Sequence, residues 1–515
     1  MKKITYLILI FLSAVSCGDD LFNLDVPNRN APGILQVMND PSAYPGMLAG
    51  AYRSWYIETM NWQDKYTNMA TNSDSYVGPG EAYTFYVTRE KPRIANSEPG
   101  GFHQNIWYIL YSNIGSVRDV LYMVDVIGKE YKVNGVNMTH VIQANACFLL
   151  GVFYSELSLL YDKAFIITEL TDIGAITSND LVDAANVRDI AMSYFDRCIS
   201  ICNSNTFTNI AGMFPGNILV ANNDELKQFA NFMAARTLAY FPRYSDETAS
   251  VDWTRVRNYM QNGITKDWMI TLPISGWYTL SAPHWSYYDP LNTRSIWYRV
   301  NHRIINMMAD QATKSRAPWP VPSNWVPTDI QNQAVTSDDS RLSSDFIFVN
   351  RLNSNDIWFQ NPPRYSQYAL NRFVDVGIDI NDHGDTYFFV KAESDLLYAE
   401  ALIRSNGDKN IAANMINNTR VKRGNLSPAL SSETNNDLLK KVFYEKFVEC
   451  SFTVYATPFY DRRRCDLNEY KLTFGSFREL PVPFRELEIW RILDSYDNTK
   501  PTFGGTTATK DNIQF

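Results

Sequence analysis

Two stretches of this chain gather Trp and Tyr among small and polar residues. The first runs from Trp62 to Tyr86, with Tyr76 and Tyr83 between and Asn72, Asp74, Gly78 and Gly80 interleaved. The second holds Trp277, Tyr278, Trp285, Tyr287 and Tyr288, with Asn292 and Arg294 close behind. A flat aromatic face packs on the axial C–H groups of a sugar ring, while Asn, Asp, Arg and Gln at its edge bond the hydroxyls. These clusters therefore suit a saccharide platform. A peptide would use the same rings less selectively, so the rings do not separate the two ligands. The ordinary alternative for any one ring is a place in the core or at an interface with another protein.

Residues suited to catalysis are sparse. The chain has no His-Glu-x-x-His, Gly-x-Ser-x-Gly, P-loop or Gly-x-Gly-x-x-Gly pattern. His103, His140, His284, His302 and His383 lie far apart and read as structural. Asp379–Ile380–Asn381–Asp382–His383–Gly384 starts like a calcium loop. His383 replaces an oxygen ligand, however, and Val390 stands where a bidentate Glu belongs. A tight turn is the plainer reading, and neither a metal nor a cofactor is expected. Paired glycosidase carboxylates are defined by their separation in space, so sequence does not reveal them. Arg462, Arg463 and Arg464 read as partners of nearby acids such as Asp461, Asp466 or Glu445 rather than as an anion patch.

The elements that position these residues change character along the chain. Apolar residues recur at three- and four-residue steps from Asn105 to Val126, and again over about His140–Leu160, Val187–Cys202 and Asp224–Tyr240. Asn134–Gly135 marks a turn between the first two helices, and Asn223–Asp224 a capping signal before the last. Another pair is expected at about Tyr387–Arg404 and Asn410–Arg423. Short turns between paired helices suggest a tetratricopeptide-like stack, without its consensus or a regular period. Between Met269 and Gly384 the helical stripes nearly vanish, while Trp297–Tyr298, Trp319–Pro320 and Trp325 join the second ring cluster. A structureless insert this rich in Trp and Tyr is expected to be a working surface.

Lys2 and Lys3 precede an apolar run from Ile4 to Val15, with the small residues Ala14 and Ser16 just before Cys17. The run is too short to span a bilayer, which needs about 20 residues, but it suits a secretory signal. The small residues before Cys17 match a relaxed lipobox, which predicts acylation of that cysteine. Gly18–Asp19–Asp20 follows, then a polar leash to Asn30 with a root-mean-square reach of about 20 Å. Without Lys2 and Lys3, 45 of the 47 basic residues remain against 55 acidic ones, a net charge of about −10. Nucleic acid and anionic lipid both demand a basic face and are disfavoured as partners. After acylation Cys147, Cys198, Cys202, Cys450 and Cys465 remain, an odd number over so long a chain, which is not a disulfide framework; they read as small buried hydrophobes.

Several of these segments, in order, resemble the SusD/RagB family of outer-membrane nutrient-binding lipoproteins. Trp107–Tyr108–Ile109–Leu110–Tyr111 with Asn113 is similar to an early aromatic helix of that family, and Gln143–Leu150 with Tyr154 to the helix after it. Leu397–Arg404, Gly407 and Ile416–Arg420 match its paired C-terminal helices most closely. Tyr444–Lys446, Phe459–Arg464, Leu480–Pro483 and Glu486–Leu487 resemble its ending, and Leu24–Pro27 its leash. The chain departs at Cys147–Phe148, at Asp162–Phe165 and at Ser451–Thr453, which marks a divergent member. The resemblance implies a mainly α fold, with tetratricopeptide-like helix pairs packed on a loop-rich C-terminal half. It divides the chain into a signal peptide (1–16), a lipidated tether (17–35), an N-terminal helical region (36–268) and a C-terminal region (269–515). The last would hold the insert 269–386 and returning helices 387–450. It also implies a surface protein on the outer membrane, facing outside, that delivers ligand to a SusC-like, TonB-dependent barrel. That ligand would be an oligosaccharide, or a peptide in some members. The rival readings are a surface glycoside hydrolase or peptidase and a purely structural surface protein.

Overall fold

Periodic apolar stripes become helices in the N-terminal half, and each stripe is buried on the next helix along the chain. The computed structural model describes residues 38–60, 65–77, 102–214, 220–272, 299–320, 333–348, 366–372, 384–451, 457–473 and 476–492. Helix α1 (Tyr44–Met60) leads to α2 (Lys65–Asn72) and the short strand β1 (Tyr76–Val77). Then come α3 (Phe102–Asp125), strands β2 (Lys132–Val133) and β3 (Val136–Asn137), and α4 (Thr139–Leu160). Strands β4 (Lys163–Phe165) and β5 (Leu181–Asp183) precede α5 (Ala184–Ser204), α6 (Asn223–Tyr240) and α7 (Trp253–Met260). Helix α1 packs on α3, α3 on α4, and so on in sequence to α7. This nearest-neighbour stacking is the expected tetratricopeptide-like arrangement.

Helix α4 is the centre of the stack, with 19 of its 22 residues buried. By length and a mean hydropathy of 1.2 it could cross a membrane, but 94% of that apolar window lies inside the protein. Its polar side chains are bonded within the core. Asn145 accepts from the Tyr52 hydroxyl (3.0 Å) and donates to the Val141 carbonyl (2.8 Å), while Ser155 and Thr237 share a hydrogen bond of 2.6 Å. A Cβ at Gly151 would lie 2.7 Å from the Phe195 ring of α5. Gly151→Ala is therefore expected to cost about 1–3 kcal/mol by overpacking, read as a lower urea midpoint; an unchanged midpoint would contradict that close approach.

The turn expected around Asn134–Gly135 is a two-residue hairpin. Both residues have positive φ (51° and 82°), which suits the twist of the flanking strands. The cap of α6 is Asn222, one residue before the expected signal; its side chain accepts from the Glu225 N–H at 3.0 Å.

The C-terminal half begins with strands β6 (Trp268–Leu272) and β7 (Arg299–Val300) and helices α8 (His302–Met308) and α9 (Arg341–Ser344). Strands β8 (Phe346–Phe348), β9 (Tyr368–Leu370) and β10 (Gly384–Phe389) follow. Helices α10 (Lys391–Arg404), α11 (Lys409–Arg420), α12 (Asn435–Glu449), α13 (Thr457–Arg464) and α14 (Phe484–Ile489) complete it. Helix α10 packs on α11, α12 and α7, joining the two halves.

One expected boundary is wrong. Residues 387–389 belong to β10, which pairs antiparallel with β6, and the helix starts at Lys391. A register irregularity between Tyr387 and Phe389 lets both Phe388 and Phe389 turn inward, so the apolar run looks continuous with the helix stripe. The following helix also stops earlier than expected, at Arg420.

Much of the aromatic content is core. Phe388 packs 4.9 Å from Trp55, and Trp268 stacks at 4.6 Å on Phe229. The five described cysteines are free and buried, as expected. The arginine run divides its work. Arg464 pairs with Glu400 (2.8 Å) and with Asp461, whereas Asp466 and Glu445 pair elsewhere, with Arg404 and Arg341. Arg463 donates to the carbonyls of Leu159, Arg478 and Tyr240, each at 2.8 Å. This side chain is therefore a buried clasp for loop backbone rather than half of an ion pair.

Candidate functional site

One end of each of two ring-bearing segments leaves the framework at the same strand pair. Strand β1 ends at Val77, where residues 78–101 begin; β7 starts at Arg299, where residues 273–298 end. These two residues are direct partners in an antiparallel ladder, Val77 opposite Arg299 and Tyr76 opposite Val300. The Val300 carbonyl accepts from both the backbone N–H (3.3 Å) and the hydroxyl (2.7 Å) of Ser366, which closes residues 349–365. Leu272, the start of the other end of 273–298, pairs with Gly384, the residue after 373–383. Each of four segments thus has at least one end on a short ladder or bonded to one.

A buried polar foundation holds those roots. Asp74 has φ of 59°, a left-handed conformation that a short polar side chain tolerates. That conformation lets the chain turn out of α2 into β1. Its carboxylate accepts from Arg303 at 3.0 Å and from the Thr473 hydroxyl at 2.6 Å. Arg303 also donates to the carbonyls of Glu469 (3.0 Å) and Lys471 (2.7 Å), and its guanidinium lies 5.6 Å from the Trp319 ring. Asn72 donates to the Phe477 carbonyl at 3.0 Å, and Arg462 to that of Ser73. The Ser75 carbonyl accepts from Asn301 N–H at 3.0 Å.

Of the expected ligand contacts, only Tyr76 is placed by the structure, on β1. Trp62, Tyr83, Trp277, Tyr278, Trp285, Tyr287, Tyr288, Asn292 and Arg294 lie outside the described residues, as does Cys17. So do His284, His383 and residues 379–383 of the calcium-like stretch. Asn72 and Asp74, which the sequence places among the ring-edge polar groups, belong instead to the foundation: both are buried and bonded to distant backbone and side chains. Sequence reading missed Arg303, Thr473 and Ser366. No local signal announces them, since Arg303 and Thr473 meet Asp74 across separations of 229 and 399 residues.

Chemically, the foundation does not resemble a catalytic site. Asp74 accepts from a guanidinium and a hydroxyl, which ties it into the framework as a structural acceptor. Among the described residues, no group of three or more His, Cys, Asp or Glu could hold a metal ion. Trp319 is the one described ring of the aromatic insert that stands beside the foundation, half-buried against Arg303.

The sequence matches no family model and no curated protein. Solved structures are similar in fold over most of the chain. A SusD homolog of Bacteroides thetaiotaomicron superposes with a TM-score of 0.62 at 15% identity, covering 91% of this chain and 99% of its own. A SusD-like carbohydrate-binding protein of Bacteroides fragilis gives 0.57 at 15% identity, over 83% and 86% of the two chains. Surface glycan-binding protein A of Bacteroides uniformis gives 0.52 at 14%, over 88% and 99%. With a helical stack joined to a loop-bearing C-terminal half, the chain has the SusD-like fold.

Proposed function

We propose that the chain is a SusD/RagB-type surface lipoprotein, anchored through Cys17 to the outer membrane. It captures oligosaccharide and passes it to a SusC-like TonB-dependent transporter, acting by binding and not by catalysis. The observation that carries this reading is the pairing of Val77 with Arg299, which roots both ring-rich stretches side by side. Rings from 78–86 and 277–288 then need only local chain to form one platform, as a saccharide site requires. In support, solved proteins of this fold include carbohydrate-binding and glycan-binding members. The residues proposed to touch ligand are Trp62, Tyr76, Tyr83, Trp277, Tyr278, Trp285, Tyr287, Tyr288, Asn292 and Arg294.

The test replaces Trp277, Trp285 and Tyr288 together with Ala. At about 0.5–1.5 kcal/mol per ring, oligosaccharide affinity should fall about ten- to a thousandfold in calorimetry, with the melting temperature nearly unchanged. A large drop in melting temperature would make these rings core. Binding of peptides but not glycans would move the substrate class, and product release by the purified protein alone would replace binding with hydrolysis.

A further inference from the structure

A cleft of about 550 Å³ opens between the first turns of α5 and α7 and the loop that follows α6. Its volume lies in the range of small-ligand sites. Leu238, Phe241, Pro242 and Val251 form an apolar wall, and charged side chains form the rest. None of the lining residues belongs to the segments that carry the ring clusters.

The walls are built with bonding capacity in reserve. Asp189 receives both Arg188 Nε (2.9 Å) and Nη2 (2.8 Å) on one oxygen, Oδ1. Asp252 caps α7 with Oδ1 (2.9 Å to Arg255 N–H), and Glu247 holds the Arg243 and Tyr244 N–H groups with Oε2. In each case the other carboxylate oxygen is left as an acceptor. The Arg188 guanidinium is fixed 4.5 Å from the Phe241 ring centroid, with Arg243 at 4.9 Å from the same ring. Arg188 Nη1 is left as a donor from a held plane, the kind of preorganised group that recognition favours.

Charge narrows the ligand. Six carboxylates line the cleft against three guanidiniums, which disfavours an anion. Three guanidiniums and the positive ends of two helices disfavour a simple cation. What fits is a neutral molecule that donates and accepts around its edge and lays one apolar face on a wall. One spare oxygen on each of Asp189, Asp252 and Glu247 and the spare Nη1 of Arg188 face groups that must both donate and accept, as the hydroxyls around a sugar ring do. We propose that this cleft is a second saccharide site, for neutral pyranosides, extending the glycan-binding reading above to another part of the molecule.

Hydrogen–deuterium exchange of the full chain tests it, with maltose, cellobiose, xylobiose, mannobiose and lactose at high millimolar concentration and trialanine as the peptide probe. At least one disaccharide should slow exchange several-fold at 184–189 and 241–252. Val251→Trp, which fills the wall, should abolish that protection without changing oligosaccharide affinity at the ring clusters. Arg188→Ala serves the same purpose should the larger side chain disturb folding. Protection by trialanine alone, or by no disaccharide, overturns the proposal. Protection at the cleft with none at 73–77 and 299–301 supports the second site while counting against the ring-cluster reading; the reverse pattern overturns the second site alone.

Discussion

Glu156→Gln should make the protein more stable near pH 7.5 and leave it unchanged near pH 4.5. Glu156 sits on α4 with no exposed surface, and Glu58 of α1 is 1% exposed. Burial, and then the charge of Glu58, push the Glu156 carboxyl well above its ordinary range, and Arg236 offsets this only in part. Arg236 already donates to Glu393 at 2.8 Å. The folded chain therefore keeps a proton on Glu156 that the unfolded chain releases near pH 4.3. A raised carboxyl stabilises the fold fully below the unfolded value, and that contribution is lost as pH rises toward the folded one. The deficit of the wild-type chain therefore grows as pH rises above the unfolded value toward 7.5. Glutamine has nearly the same shape and no proton to lose. Urea denaturation at the two pH values reads the difference directly. Destabilisation at pH 7.5 would show that Glu156 is ionised and held by Arg236, and would sink this account.

The same position shows where sequence reading stops. The stripes of α3, α4, α5 and α6 place one face of each helix inward, and those helices were legible to within a few residues. A helix buried on all sides breaks that rule, so Ser155, Glu156 and Ser158 would be assigned to solvent when all three are buried. The strand at 384–389 was hidden for a related reason: Tyr387, Phe388, Phe389 and Val390 continue the apolar run of α10, and period alone does not mark the change. The ring clusters were legible as composition. Their common root was not, because Val77 and Arg299 meet only through the fold. Arginine chemistry was legible as charge but not as partner, since a guanidinium has five donors and finds acceptors wherever backbone is buried. Arg463 took carbonyls where acids seemed nearer.

Arg341→Met is expected to be among the most damaging single changes, at about 3–5 kcal/mol. Arg341 is fully buried and reaches Asp339 at 2.7 and 2.9 Å, Glu445 at 2.6 Å and Glu449 at 2.9 Å. Arg372, Arg420 and Arg423 share these acids together with Asp345, so four guanidiniums meet four carboxylates. Burial raises the Glu449 carboxyl, but Arg372, Arg423 and Arg341 more than offset this and hold it at about 2. At Glu445 burial wins over Arg341, and the carboxyl is raised. Removing Arg341 takes the guanidinium from Asp339 and leaves Glu445 only Arg420, at 3.4 Å, in an interior where a poorly paired charge costs several kcal/mol. The variant should recover stability as pH falls from about 8 to 5, because a raised Glu445 then binds a proton at little cost. Its effect should also be directional. Arg341 opens α9, which runs directly into β8, and β8 pairs with β9 beside the Ser366–Val300 contact. Amide exchange should rise first at 346–348 and 366–370, with ligand affinity falling as the roots of 349–365 and 273–298 lose their support. Uniform exchange across α4 and β8 would mean instead that the network serves global stability alone, and that the foundation of the site stands without it.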